Sequence, residues 1–274
     1  MQLDPTILST AGIFATLVLL SVTTVFLFAQ LKQDNSVMDI FYGPIFALSY
    51  WGTWHLTGQP DGVPTLIGGL LTLWSVRLGL RIARKNWGKP EDPRYATWRA
   101  AWRANGTLYV IVRSYLQVNL LQGLIIILVA SPLWWLLAVE IVIWPVVFYS
   151  GVALMLFGLL YEAAADWQLD RFLARKRAGT ESETLMTAGL FRYSRRPNYF
   201  GEATIWWGFA FAALSSGLAA GLTFVSPFVI TYILTRVTGP ILEDYFLEHY
   251  PDAYRAYMAK TPNFLIPTLR KNES

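Results

Sequence analysis

Long apolar runs constrain the fold of this 274-residue chain more than any other feature. A helix needs about 20 residues to cross a bilayer, and seven runs approach or exceed that length. They lie at residues 7–29, 37–56, 65–83, 108–129, 146–167, 199–214 and 222–241. Because lipid cannot hydrogen-bond to a polypeptide backbone, each run is expected to be helical. The predicted fold class is all-α: one polytopic integral membrane domain, residues 1–274, with about seven transmembrane helices.

The distribution of basic residues predicts how these helices are oriented. The loops at residues 84–103 and 171–196 are rich in Lys and Arg, whereas the turns at residues 57–64, 131–142 and 215–221 contain neither. Since Lys and Arg accumulate on the cytoplasmic side, the N-terminus is predicted to lie outside and the C-terminus in the cytoplasm. A Trp-rich segment at residues 132–145 is too short to span, and we predict a half-embedded helix on the outer side.

The composition excludes several kinds of chemistry. The chain has no cysteine, which excludes disulfides, thiolate chemistry and Cys-based metal sites. Its two histidines, His55 and His249, lie on opposite sides of the membrane in the predicted topology, so no metal site is expected. The net charge of +4 is explained by membrane orientation, and with no basic stripe on a soluble face it does not indicate a nucleic-acid partner.

Residues 189–202 form an arginine-rich block directly before an apolar, Trp-rich segment. The block contains Arg192, Arg195 and Arg196, followed by Asn198 and Glu202. A planar guanidinium group suits phosphate or carboxylate, and a helix N-terminus adds partial positive charge. We interpret the block as the anion-holding half of a cofactor site at the membrane surface.

Ionisable residues inside the spans are candidates for function because they are costly in lipid. Asp39 lies about one turn into the second span, where it could donate a proton or equally be an acid near the positive end of the helix dipole. Glu162, Asp166 and Asp170 share one face of the fifth helix. For Asp166 and for Arg171, which lie nearer the arginine-rich block, we favour a ligand-binding role.

Two further segments carry aromatic residues in positions that suggest function. Residues 89–95 contain two prolines and are predicted to be non-helical through their middle, presenting Tyr95 as a phenolic hydrogen-bond donor. The tail residues Tyr250, Tyr254 and Tyr257 have helical spacing, which predicts an amphipathic helix on the membrane surface. Such a helix could also close a cofactor cleft with its tyrosine rings.

The block at residues 189–202, the following Trp206-Trp207-Gly208 and the tail residues 265–267 resemble the C-terminal domain of the steroid 5-alpha-reductase family. Residues 161–168 and the loop at residues 91–95 look like the bacterial branch of that family. The resemblance covers roughly residues 39–267. It implies seven spans in a bacterial inner membrane, NADPH bound from the cytosolic side by residues 146–267, and hydride transfer to an activated C=C bond of a steroid-like or isoprenoid enone.

The resemblance also implies roles for individual residues. Asn198, Tyr199 and Glu202 match the cofactor-binding motif at the sixth helix, Asp166 matches the acid that ends the fifth, and Glu243 and Tyr254 fall where the tail approaches the cofactor. The full expected NADPH-binding set is Arg94, Asp166, Arg171, Arg192, Arg195, Asn198, Tyr199, Glu202, Glu243 and Tyr254. Phosphate contacts are expected from Arg192, Arg195 and Arg94, and the surplus of arginine favours NADPH over NADH.

The chain departs from the family pattern at two places. Steroid reductases of the animal type carry a Gln-Glu pair in the second helix that grips the substrate carbonyl, and this chain has none there. Asp39 is expected to stand in for it as a catalytic residue, with Tyr95 (or Tyr42) as the phenol that helps to polarise the carbonyl. Arg196 replaces the His that is common before Pro-Asn-Tyr, which keeps the positive charge.

Two other functions fit parts of the same pattern. Membrane methyltransferases of the isoprenylcysteine and phospholipid types have a similar Arg-x-Pro-Asn-Tyr turn and paired acids in the tail, here Glu243 and Asp244, but bind S-adenosylmethionine. A non-catalytic lipid- or sterol-binding membrane protein would keep the cofactor pocket without turnover. The extra arginines and the 91–95 loop favour the reductase.

Overall fold

The computed structural model describes residues 4–139 and 141–264, and this part of the chain contains helices and no strand. The family-like tail at residues 265–267 lies outside the described residues. The α-helices are α1 (Pro5–Lys32), α2 (Val37–Thr57), α3 (Val63–Asn86), α4 (Pro93–Arg103), α5 (Thr107–Arg113), α6 (Leu121–Val129), α7 (Ser131–Ala138), α8 (Pro145–Arg177), α9 (Pro197–Leu214), α10 (Val225–Tyr232), α11 (Gly239–His249) and α12 (Pro251–Lys260). The all-α prediction is thus confirmed for the described residues.

Two stretches of π-helix and two of 3-10 helix connect or precede these elements. Ser114–Leu120 is a π-helix that joins α5 to α6, and Ile233–Thr238 joins α10 to α11 in the same way. Gly189–Arg192 and Leu218–Phe224 are 3-10 helices. With the π-helix included, Thr107–Val129 is one continuous helical stretch.

Within residues 4–139 and 141–264, five helical stretches are long and apolar enough to cross a membrane: Pro5–Lys32, Val63–Asn86, Thr107–Val129, Pro145–Arg177 and Leu218–His249. They correspond to five of the seven predicted spans and fit a multi-pass membrane protein. The other two predicted spans are also helical, as α2 and α9. These two are not among the five: α2 contains Asp39, Pro44 and His55, and α9, with 18 residues, contains Asn198 and Glu202.

The chain divides into two compact units, Met1–Pro145 with Ala213–Val225 (unit 1) and Val146–Ala212 with Ser226–Ser274 (unit 2). The main division at residue 145 coincides with the start predicted for the cofactor-binding region. In unit 1, α2 packs between α1 and α3. Its core includes the fully buried rings of Phe46, Tyr50 and Trp74, and the Tyr50 hydroxyl donates to the Pro64 carbonyl oxygen at 2.7 Å.

The predicted half-embedded helix at residues 132–145 is different in the structure. Helix α7 ends at Ala138, and most of its side chains, including Leu133 and Leu136, are buried. It packs against α1, and the Trp135 indole Nε1 donates to Ser216 Oγ at 3.0 Å. Trp135 therefore packs inside unit 1 with its ring buried and its N–H paired, whereas Trp144 is exposed.

Helices α8 and α9 of unit 2 approach each other closely through glycines. Gly151 and Gly158 on α8 face Gly208 and Gly201 on α9, so that glycines repeat every seven residues on both helices. A Cβ atom placed on Gly158 would lie 2.7 Å from the Gly201 carbonyl oxygen. Small residues allow this backbone contact, which is a common device in membrane helix packing.

The tail helix α12 packs its aromatic face on the protein itself. Tyr254 and Tyr257 are buried with Leu185, and Phe246 and Met258 pack against this cluster. The expectation that this face lies on the membrane surface is therefore wrong. The helical spacing was correctly identified, but it produces a small protein core in unit 2.

Candidate functional site

A phenol, a carboxylate and a guanidinium group meet at the start of two helices of unit 1. The Tyr95 hydroxyl donates to Asp39 Oδ1 at 2.7 Å, and Arg94 Nη2 lies 3.2 Å from Asp39 Oδ2. Asp39 is in the first turn of α2 and Tyr95 in the first turn of α4. The structure thus places the two expected catalytic residues in direct contact.

The local sequence explains how α4 fixes this geometry. Asp92 is the N-cap of α4 and accepts from Arg94 N at 3.0 Å, and Pro93 is the first helical residue. Acidic N-caps and proline at the first helical position are favoured at helix starts. The prediction that residues 89–95 are not helical through their middle is confirmed, because residues 89–92 lie outside any helix and α4 begins at Pro93; Tyr95 itself is helical.

The electrostatic surroundings keep the Tyr95 phenol protonated. Burial raises the pKa of Tyr95, the charge of Asp39 and the hydrogen bond to it raise the pKa further, and Arg94 opposes these effects. The hydrogen bond to Asp92 raises the pKa of Arg94, so that side chain stays cationic. Burial alone would raise the pKa of Asp92, but hydrogen bonds from the Arg94 side chain and backbone lower it below its ordinary value.

Gln122 is a member of this cluster that the sequence analysis missed. Its Nε2 donates to the Tyr95 hydroxyl oxygen at 3.4 Å. Gln122 is the second residue of α6, directly after the π-helix. The sequence offers one indication of its role: Gln122 is an amide inside an apolar span, where an unpaired polar side chain is costly.

A buried ion pair supports the cluster. Arg99 is 3% exposed, and its Nη2 lies 3.0 Å from Glu91 Oε1 while its Nε lies 3.1 Å from Glu91 Oε2. The same Glu91 Oε1 accepts from the backbone N–H of Asn35 at 2.7 Å, just before α2 begins. The pair therefore connects the chain before α4 with the chain before α2.

The π-helix is joined to the same network. Asn35 Nδ2 donates to Ser114 Oγ at 3.1 Å, and Asn119 Nδ2 donates to the Ser114 carbonyl oxygen at 3.2 Å. All three residues are buried. Hydrogen bonds thus run from the start of α2 to the segment that positions α6, and π-helical segments are frequent at functional sites.

Unit 2 contains the arginine-rich block, and Arg195 is its most buried arginine. Arg195 Nε donates to Glu243 Oε1 at 3.1 Å, and Nη1 donates to the Thr261 carbonyl oxygen at 2.6 Å. Its backbone N–H donates to the Pro262 carbonyl oxygen at 2.9 Å. Arg195 and Glu243, both expected to contact the cofactor, contact each other and attach the block to the tail.

Arg196 offers donors that the fold leaves unused. Its guanidinium carbon lies 5.3 Å from the centroid of the Phe246 ring. Its Nε and Nη2 atoms are buried and have no hydrogen-bond partner among the described residues. Arg192 is exposed, with its carbonyl oxygen accepting from Thr261 Oγ1 at 3.4 Å. Buried donors normally have partners, so this arrangement fits an anionic group at Arg196.

The remaining expected cofactor residues are distributed over unit 2. Asn198, Tyr199 and Glu202 are half-buried in the first two turns of α9. Asp166 is buried on α8, whereas Arg171 is exposed and its guanidinium lies over the Trp167 ring at 5.3 Å. Tyr254 is buried in the α12 core, and burial raises the pKa of its phenol.

An apolar cavity of about 410 Å³ lies in unit 1 on a different face of α6. Its lining includes Leu124, which is two residues from Gln122 and therefore points to roughly the opposite side of the helix. The full lining is Leu124, Ile127, Leu128, Ser131, Trp134, Trp135, Leu222, Thr223 and Val225. The cavity is separate from the Asp39–Tyr95 cluster.

These features describe a class: a multi-pass membrane protein, helical throughout the described residues, with a buried phenol hydrogen-bonded to a partly buried carboxylate, and with an arginine-rich block. A family model matches residues 25–261, and its description is "protein of unknown function (DUF1295)". The match covers most of the chain, and the protein belongs to this family. No curated protein and no solved structure matches the chain.

Proposed function

We propose that this protein is a membrane-embedded reductase that uses NADPH to reduce the activated C=C bond of a lipophilic enone. The observation that carries the proposal is the Tyr95–Asp39 hydrogen bond of 2.7 Å at the start of α2 and α4. A protonated phenol held by a carboxylate is suited to polarise a carbonyl oxygen. The resemblance of residues 39–267 to the steroid 5-alpha-reductase family supports the same reaction.

The proposed membrane arrangement has seven spans, with α2 and α9 added to the five apolar stretches. The N-terminus lies outside and the C-terminus in the cytoplasm of a bacterial inner membrane. The basic loops at residues 84–103 and 171–196 support this orientation, since both would then face the cytoplasm. Membrane lipid surrounds the helices, and a lipophilic substrate enters from it.

NADPH, when bound, supplies the hydride. Arg196 and Arg192 would hold its phosphates, because Arg196 has buried donors without partners and Arg192 is exposed beside it. Arg195 acts on the cofactor indirectly, by holding the block to Glu243 and Thr261. Asn198, Tyr199, Glu202, Asp166, Arg171 and Tyr254 remain the further proposed binding residues.

In the proposed reaction, residues of unit 1 stabilise the negative charge that develops on the substrate oxygen. When a carbonyl approaches, the Tyr95 hydroxyl can rotate its single proton from Asp39 toward that oxygen. Asp39 then keeps Arg94 as its hydrogen-bond partner, with Arg94 Nη2 at 3.2 Å from Asp39 Oδ2. Arg94, which was expected to contact a phosphate, is thus engaged by Asp39 and Asp92.

Isotope transfer tests the reaction. The purified protein is incubated in detergent with cholestenone and NADPH that carries deuterium at the transferable position, and the product is analysed by mass spectrometry. The proposal predicts a saturated ketone with one deuterium from the cofactor. The proposal is contradicted if no saturated ketone forms. It is also contradicted if the product carries deuterium only when the reaction is run in deuterated solvent.

One observation favours a second candidate, methyl transfer from S-adenosylmethionine. Arg195 is occupied by Glu243 and the Thr261 carbonyl, which leaves fewer guanidinium groups for phosphates than the sequence suggested. S-adenosylmethionine carries no phosphate, so its binding would need fewer guanidinium groups. Incubation with methyl-labelled S-adenosylmethionine and a lipid extract distinguishes the two, because label in the lipid supports the methyltransferase.

A further inference from the structure

We propose that Arg113 binds the phosphate group of an anionic membrane phospholipid near the start of the helical stretch Thr107–Val129. This lipid site goes beyond the proposed reduction and uses neither Asp39 nor Tyr95. Its support comes from the charge of Arg113, the depth of the guanidinium group, the aromatic rings beside it and the exposed leucines that follow it.

Arg113 is a cation without an acidic partner on its own part of the chain. The sequence contains no Asp or Glu between Asp92 and Glu140. Arg94 and Arg99 of helix α4 are paired with carboxylates. Within residues 4–139 and 141–264, the guanidinium group of Arg113 contacts two aromatic rings and forms no ion pair. Since a charge in a membrane-spanning segment is costly and is normally paired, an anion from outside the protein is the expected partner.

The guanidinium group of Arg113 lies near the depth of the lipid headgroups. Arg113 is the last residue of the seven-residue helix α5, which begins the apolar stretch. Its Cα atom is therefore about 9 Å from the Thr107 end, at about 1.5 Å per residue. Side chains on a helix lean toward its N-terminus, and a long arginine side chain can bring its charge to the membrane interface. That interface is where the phosphate groups of the lipids are found.

Two aromatic rings hold Arg113 in this position. Its guanidinium carbon lies 6.0 Å from the centroid of the Trp102 ring and 5.8 Å from that of the Tyr109 ring. Trp and Tyr are enriched at membrane interfaces, which agrees with the depth of the site. A cation–π contact leaves the N–H donors of Arg113 available for a phosphate group, and it involves the ring of Tyr109 rather than its hydroxyl group.

Exposed leucines beyond Arg113 favour a phospholipid over a free phosphate ion. Along the same helical stretch, the exposed leucines that follow are Leu116, Leu121, Leu124 and Leu128. They present an apolar surface to acyl chains, whereas a free phosphate ion would gain nothing from them. A ligand with a phosphate group and hydrocarbon chains therefore matches both parts of the stretch.

The lipid headgroup should be anionic rather than zwitterionic. A zwitterionic lipid such as phosphatidylcholine carries its own cation beside the phosphate, and Arg113 would repel that cation. The loop at residues 84–103, which precedes the stretch, is rich in Lys and Arg. Basic clusters directly beside a membrane helix attract anionic lipids.

Quenching by labelled lipids at a single position of the protein tests the site. Because the chain has no cysteine, Asn105→Cys in the exposed loop between α4 and α5 accepts a bimane fluorophore at that position alone. The labelled full-length protein is reconstituted into phosphatidylcholine vesicles. These contain a small fraction of phosphatidylglycerol or phosphatidylcholine with identical chains and a nitroxide close to the headgroup. We expect phosphatidylglycerol to be enriched about fivefold over phosphatidylcholine at the fluorophore, which corresponds to about 1 kcal/mol for one basic residue.

Arg113→Met should lower this enrichment to less than about twofold, because it removes the charge that attracts the phosphate group. Arg84→Met is the matched control and should keep the enrichment. Arg84 is an exposed arginine in the last turn of α3, so its loss removes the same charge from another place in the basic loop. Arg113→Gln is measured as well, and thermal unfolding in detergent establishes that each variant is folded.

The labelled protein with Arg113 intact gives the first decisive result. Equal quenching by the two lipids overturns the site, and this comparison decides the outcome if neither Arg113 variant folds. Enrichment that persists in Arg113→Met also overturns it. An equal loss in Arg84→Met would show a general attraction of positive charge instead of a site at Arg113. Hydride transfer is measured separately, so the lipid site and the proposed reduction can fail independently.

Discussion

The proposed reduction depends on the hydroxyl proton of Tyr95. It is donated to Asp39, and the surroundings keep it on the phenol at physiological pH because they raise the Tyr95 pKa. Tyr95→Phe removes that proton and keeps the ring in place. We expect kcat for enone reduction to fall by about 100-fold or more, the usual effect of losing such a donor.

Steady-state kinetics with cholestenone measure this effect. Tyr109→Phe serves as the control, because Tyr109 is 40% exposed on α5 and its ring contacts the guanidinium group of Arg113. It should keep wild-type kcat. Equal kcat in Tyr95→Phe and wild type would exclude the phenol from the reaction.

The Arg99–Glu91 ion pair is predicted to hold the cluster in place. Arg99→Met leaves the Glu91 carboxylate, only 11% exposed, without its cation. Breaking a buried pair from one side typically costs about 3–5 kcal/mol, so a large fall in melting temperature is expected. The double variant Glu91→Met/Arg99→Met should recover much of the loss.

Arg103→Met is the comparison for this prediction. Arg103 is the last residue of the same helix and is exposed, so its loss should change stability by less than about 0.5 kcal/mol. Similar melting temperatures for Arg99→Met and Arg103→Met would show that the buried pair does not stabilise the fold.

The charge of Asp92 makes the stability of the folded protein depend on pH. Its folded pKa is below the ordinary value, so its ionised form stabilises the folded state. That contribution is present above about pH 4 and is lost as pH falls through the lower folded pKa. We expect the melting temperature of wild type to exceed that of Asp92→Asn near neutral pH, with the difference shrinking in acid.

Asparagine keeps the N-cap hydrogen bond, so this comparison isolates the charge of Asp92. Thermal unfolding of both proteins between about pH 7 and pH 3 provides the measurement. A difference that stays constant over this range would mean that the Asp92 charge is not responsible for it.

At the scale of elements, the glycine contact between α8 and α9 makes a sharp prediction. A Cβ atom at position 158 would meet backbone atoms of Gly201 and Ile205 at 2.7 and 2.8 Å, and backbone cannot move aside as a side chain can. Gly158→Ala is therefore expected to lower stability by about 1–3 kcal/mol, measured by thermal unfolding.

Gly69→Ala is the control, since a Cβ atom at that position of α3 meets nothing within 4 Å. Alanine has a higher helix propensity than glycine, so this variant should be neutral or slightly more stable. The close approach of α8 and α9 would be contradicted if both alanine variants melted alike.

Elements with a strong local signal could be predicted from the sequence. Apolar runs identified the long helices, although α8 continues to Arg177 and the last stretch to His249, well beyond the predicted ends at residues 167 and 241. Helical spacing identified α12. The two prolines correctly predicted an interruption of the helix in the middle of residues 89–95, and Asp92 and Pro93 then begin α4 as N-cap and first helical residue. The π-helix at Ser114–Leu120 has no sequence signature comparable to these.

In the whole molecule, the candidate sites depend on contacts between residues that are far apart in the sequence. Such contacts are harder to predict than helices. Asp39 and Tyr95 were paired because both types of group suit carbonyl chemistry. Gln122 was missed because its partner is 27 residues away and an amide carries no charge pattern. Arg195 was expected to bind phosphate because sequence shows how many arginines are present, but not that Glu243, 48 residues away, already pairs with one.

Thermal stability of the purified protein with NADPH, NADH or S-adenosylmethionine tests whether it is a reductase that binds NADPH. We expect NADPH to raise the melting temperature more than NADH does. Binding at about 100 times Kd corresponds to about 2.7 kcal/mol. Arg196→Met should lose this stabilisation, while Arg177→Met, at the exposed end of α8, should keep it. Stabilisation by S-adenosylmethionine with no effect of NADPH would contradict the account and favour the methyltransferase.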